Sequence, residues 1–96
     1  MTNNNEKKVG EKKKLIPNDI VRAAYAYLQS VAQAQKIAEV RIEELEPMDK
    51  NNFWKVVLSY DAIGEFAFDK KREYKEFKID AYTGEVIYMK IFSKTK

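Results

Sequence analysis

Apolar residues along the chain follow two different spacings. From Ile20 they recur at Ala24, Tyr27, Leu28, Val31 and Ala34. Steps of three and four put them on one helical stripe. Pro17 followed by Asn18-Asp19 is a helix-start signal, with a Pro near the first turn, good N-cap residue types and early acidity. Alanines at 23, 24, 26, 32, 34 and 38 favour the helix, while Gln29, Gln33, Gln35 and Lys36 would face water. The pattern predicts an amphipathic helix over about 18–36.

Beyond Ile37 the period shortens to two. Val40 and Ile42 alternate with Arg41 and Glu43, which predicts a short strand with one wet face, ended by Glu43-Glu44-Leu45-Glu46-Pro47. A continued helix is the alternative for this segment. Met48 to Asn52 reads as a polar turn. Phe53 to Tyr60 is the clearest strand, with Trp54, Val56, Leu58 and Tyr60 facing the core and Phe53, Lys55, Val57 and Ser59 on the wet side. Residues 61–71 interrupt their apolar positions with charges and Gly64. They predict either a long hairpin loop whose aromatics fold back or a continued strand bulged at Gly64. Arg72 to Ala81 is a strand that is wet in its first half and buried from Phe77 onward. Glu85 to Phe92 is the last strand, with Ile87, Met89 and Ile91 opposed to Val86, Tyr88 and Phe92. Between these two, Asp80-Ala81-Tyr82-Thr83-Gly84 carries the marks of a hairpin turn. Asp80 can accept backbone amides, and Gly84 can adopt positive φ.

One helix followed by antiparallel strands buries both apolar faces most simply as an α+β roll. That is one N-terminal helix packed on a curled antiparallel sheet of three to four strands. Residues 1–14 contain one Val and no aromatic, so they read as a disordered basic tail ahead of a single domain over 15–96. At 96 residues there is room for one core. No apolar run reaches the roughly 20 residues of a membrane span. The chain as written shows no signal peptide, so a cytoplasmic location is expected, or an extracytoplasmic one if a leader has been removed.

Composition narrows the chemistry. Cysteine and histidine are both absent. Disulfides, thiolate metal sites and Ser-His-Asp or Cys-His catalysis are excluded by inventory. The expectation is a non-enzyme without a cofactor or a metal. Net charge is +3. Lys7, Lys8, Lys12, Lys13 and Lys14 against Glu6 and Glu11 account for all of it, since basic and acidic residues balance over 15–96. A basic chain therefore does not mean a basic folded surface.

The ending Ile79-Asp80-Ala81-Tyr82-Thr83-Gly84-Glu85-Val86-Ile87 resembles the "strand, Asp, x, x, Thr-Gly-Glu-Val, strand" signature of PepSY-like domains. The Trp54-Lys55-Val56-Val57-Leu58-Ser59-Tyr60 strand is similar to that family's aromatic-x-Val strand. The resemblance spans roughly residues 18–92, with its specific motif in the hairpin. It implies a cystatin-like layout and a non-enzymatic domain associated with peptidase inhibition or with accessory and sensory roles. The absence of a secretion signal departs from that family's frequent setting. The Trp-Lys-Val strand and the Tyr-x-x-Phe-x-Ile-Asp strand also resemble the gas-vesicle accessory protein O family.

Aromatics carry the candidate site. One Trp, six Tyr and five Phe exceed what a small core usually holds. Alternation places Phe53, Tyr74, Tyr82 and Phe92 away from the core face, where they could bind a protein partner or a second copy of the chain. Ordinary cross-strand pairing is the plain alternative. Lys70, Lys71 and Arg72 beside Tyr74 and Lys75 suggest nucleic-acid contact assisted by the tail. Asp69, Glu73 and Glu76 interleave with them as on a solvated strand edge. Glu43, Glu44, Glu46 and Asp49 lack the spacing of a calcium loop. The expected function is a non-catalytic protein-interaction or regulatory domain. The alternatives are a weak nucleic-acid binder or a small-ligand domain with a helix–sheet pocket.

Overall fold

The computed structural model describes residues 13–32, 35–66 and 68–93. Helix α1 (Pro17–Val31) precedes four strands, β1 (Lys36–Met48), β2 (Phe53–Ile63), β3 (Lys70–Asp80) and β4 (Val86–Ile91). The strands form one antiparallel sheet in the order β1-β2-β3-β4. The layout is α+β, with α1 against one face of an open sheet. The tail assigned to residues 1–14 lies largely outside the described residues.

The helix starts and ends differently from its sequence pattern. Its N-cap is Ile16, which makes no side-chain cap, and Pro17 opens the first turn with Asn18 and Asp19 already inside it. It stops at Val31 instead of running to about 36, because the chain must turn back to begin β1. Its buried stripe is Ile20, Ala24 and Leu28, while Tyr27 and Val31 are exposed at its flank. Tyr27 still meets Phe77 edge-on, with ring centroids 6.4 Å apart. Ala34 lies outside the described residues.

The stripe packs onto Val56, Leu58, Tyr60, Ala62, Phe77 and Ile79, with Trp54, Leu45, Val86 and Met89 at the margin. The pairs Val56↔Phe77 and Trp54↔Ile79 put these side chains on one face. At about 22 Å, α1 is shorter than the roughly 36 Å of β2, so it covers part of the sheet.

Three local features depart from simple alternation. β1 is thirteen residues long. It is irregular at Glu39, which has φ 52°, and between Ile42 and Glu44. A bulge between Lys78 and Ile79 pairs Val86 with Ile79, so Val86 packs on the core and the predicted parity of β4 fails there. The β2–β3 connection runs only from Gly64 to Asp69. Gly64 N–H donates to Asp69 O at 2.6 Å, and a Cβ on Gly64 would run into the Asp69 side chain. Close approach, rather than a bulge, is why glycine stands there. Phe66 and Phe68 do not fold back: they stack on each other at the tip, 5.3 Å apart and exposed.

The β3–β4 turn forms as its residues predict. Asp80 Oδ1 accepts the Tyr82 and Thr83 amides at 2.8 and 2.9 Å. Gly84 has φ 80° and donates to Asp80 O at 3.0 Å. Leu15 N–H donates to Ala81 O at 2.8 Å, which ties the start of α1 to this turn.

Candidate functional site

The sheet face opposite α1 has no second layer among the described residues, yet Val57 and Ser59 on it are fully buried. The sequence pattern made both wet. Long side chains from neighbouring strands lie over them instead, keeping their charged ends in contact with partners. Arg72 is central. Its Nη1 donates to Asp61 Oδ1 at 3.0 Å and its Nη2 to Ser59 Oγ at 2.8 Å. Ser59 Oγ in turn donates to Glu43 Oε2 at 2.6 Å. The register that puts Arg72 opposite Asp61 makes this possible. The β1 irregularity between Ile42 and Glu44 lies at the position of Glu43.

A second group lies toward the β3–β4 turn. Lys55 pairs with Glu44 at 3.1 Å, and Lys78 with Asp49 at 2.9 Å. Tyr88 OH donates to Glu76 Oε2 at 2.8 Å, while Lys90 stands 3.9 Å from the same oxygen. The Glu44 hydrogen bond holds the Lys55 ammonium above its usual range, against the opposing effect of burial. The Glu76 hydrogen bond, helped by burial and by that carboxylate's charge, raises the Tyr88 phenol.

Three of the four predicted aromatics share this face. Phe53 lies under Lys78 Nζ at 4.5 Å, and Phe92 stands 6.0 Å from Lys55 Nζ. Tyr74 is opposite Ser59. All three are half-buried. Tyr82 is separate, in the β3–β4 turn, with Lys14 Nζ 5.7 Å from its ring. The predicted basic trio does not form a free cationic patch. Arg72 is held by Asp61 and Ser59, Lys70 stands 3.9 Å from Asp61, and only Lys71 points no charge at a described carboxylate. Of the acidic set, Glu43, Glu44 and Asp49 are committed to Ser59, Lys55 and Lys78. Among the described residues no three potential ligands gather to hold a metal ion.

The described residues also form concavities, two of which border these groups. A cleft of about 280 Å³ opens where α1 ends over the sheet, between Leu28, Val31 and Ala32 on one side and Tyr60, Glu73 and Met89 on the other. Tyr60 OH donates to Glu73 Oε1 at 3.0 Å. Burial, then this bond and the Glu73 charge, push the Tyr60 phenol up to about 12. A larger groove of about 470 Å³ lies where β4 ends beside β3, and Lys71, Arg72, Tyr74, Lys75, Ile91 and Phe92 are among its walls. Sequence reasoning singled out several of these residues but not the groove. It arises because β4 stops at Ile91 while β3 reaches back to Lys70.

No helix among the described residues is long and apolar enough to cross a membrane. Comparison with protein-family models, with curated proteins and with solved structures finds no match to this chain.

Proposed function

We propose that this chain is a non-catalytic protein-interaction domain, of the broadly PepSY-like kind that its hairpin motif resembles. The observation that carries this reading is the unfinished β3–β4 edge. A partly covered sheet leaves a groove at the end of its shortest strand, flanked by half-buried Phe92 and by Ile91, which is 77 % exposed. Strand edges of this kind recruit extended segments of other chains. The residues that look chemical support the same reading. Arg72, Asp61, Ser59 and Glu43 satisfy one another, and such mutually satisfied polar groups serve structure.

Panning an unbiased displayed-peptide library against the immobilised domain tests the proposal. Enrichment of β-prone peptides that bind the free protein in solution is the expected result. A library that enriches nothing, together with strictly monomeric sedimentation, would remove the basis for an interaction role.

A further inference from the structure

The end of α1 and the helix side of the sheet enclose the cleft of about 280 Å³, and we propose that it binds a free α-amino acid with an apolar side chain. This goes beyond the interaction reading above and does not depend on it.

The cleft has two chemically distinct sides. Leu28, Val31 and Met89 make one side apolar, and Tyr60, Glu73 and Lys75 make the other polar. Tyr60 pairs with Glu73 across β2 and β3, and its hydroxyl donates to Glu73 Oε1 at 3.0 Å. That bond holds the carboxylate at the wall. Glu73 and Lys75 stand two residues apart on β3, so both point to the helix side. Both are half-buried. Neither forms an ion pair with another described residue. The cleft therefore holds one carboxylate and one ammonium that no described partner neutralises. All its lining residues are among those described, and Gln35 N–H donates to Ala32 O at 2.9 Å at the rim where the helix gives way to β1.

Size and charge select the occupant. The volume lies below the roughly 300–1,000 Å³ typical of sites for drug-sized ligands, so the occupant is small. A simple amine meets the like charge of Lys75, and a simple carboxylate meets that of Glu73. A zwitterion satisfies both. Its ammonium belongs between Glu73 and the end of α1, which is the negative end of the helix dipole and has no basic residue in its last turn. Its carboxylate belongs beside Lys75. Side chains of Glu73 and Lys75 leave the strand about 7 Å apart and converge on charges carried by a single carbon. The ligand's side chain then lies against Leu28, Val31 and Met89, out of water.

The test is titration of the isotope-labelled full chain by amide NMR with L-leucine, N-acetyl-leucine, leucinamide and glycine. Leucine should shift the Val31, Ala32, Glu73 and Lys75 amides saturably. N-acetyl-leucine, which lacks the ammonium, and leucinamide, which lacks the carboxylate, should each bind about tenfold more weakly. Glycine, without an apolar side chain, should leave these signals in place. Glu73→Gln keeps an acceptor for Tyr60, and Lys75→Met keeps an apolar stem, so a dispersed spectrum is expected of both. Glu73→Gln should weaken leucine about tenfold and leave N-acetyl-leucine unaffected or tighter. Lys75→Met should weaken leucine by a similar factor and leave leucinamide unaffected or tighter. Equal binding of leucine and its two blocked forms would overturn the inference. So would shifts confined to residues outside the cleft, or no saturable response to leucine at all. Library peptides that bind while leucine does not would remove the amino-acid site and leave the interaction role standing.

Discussion

Tyr60 is 2 % exposed, and its hydroxyl donates to Glu73 at 3.0 Å. Its phenol is pushed up to about 12 in the folded protein, against 10.0 ordinarily. A raised folded value means that the unfolded chain loses its proton first as pH climbs. The associated stability is fully present below about pH 10 and is lost as pH rises toward 12. Tyr88 and Lys55 are shifted the same way and add to the slope. Melting temperature should fall steeply between about pH 10 and 12, and Tyr60→Phe should flatten that fall while lowering stability at neutral pH by about 1 kcal/mol. Thermal scans of both proteins across that window check it. Gly84 supplies a second residue-level prediction. Its φ of 80° penalises any side chain, and a Cβ would stand 3.2 Å from Leu15 Cδ1. Gly84→Ala should destabilise by about 1–2 kcal/mol in urea titration.

At the scale of elements, the β3–β4 hairpin depends on one carboxylate. Asp80→Ala removes acceptors for two turn amides and should cost about 1–2 kcal/mol, with faster hydrogen exchange at Tyr82 and Thr83. The β2–β3 pair depends in the same way on Arg72. Arg72→Met keeps the covering stem but strands Asp61 and deprives Ser59 of a donor, so a loss of about 1–3 kcal/mol is expected by chemical denaturation. Replacing Glu43, Ser59, Asp61 and Arg72 together by apolar residues of similar size should lose less than that single change, because no member of the network is left without its partner. The hairpin turn was legible in its residue types because Asp and Gly act within a few positions. The Arg72 network was not. It joins β1, β2 and β3 through register, and a serine in an apolar strand does not disclose which distant side chains will cover it.

For the whole molecule, the excess of positive charge belongs to residues 1–14, while the folded part balances its ions internally. Deleting residues 1–14, which carry the whole net charge of +3, should abolish retention on a cation exchanger near neutral pH. Retention that persists would mean that the folded surface is itself cationic. The same deletion should leave the melting temperature within about 1 °C, because the described core draws on nothing before Leu15.

Local spacing by itself determined the helix stripe, the core face of β2 and the Asp80–Gly84 turn, because these depend on periods and backbone preferences that act within a few residues. Only the tertiary structure decided where α1 yields to β1, that Val86 faces the core, and that Val57 and Ser59 are buried with no second layer over them among the described residues. It also decided that β4 ends at Ile91 while β3 reaches back to Lys70, with a groove beside them. Each of these depends on bulges, on register and on the unequal lengths of neighbouring strands, and all three are set by contacts between segments far apart in the chain.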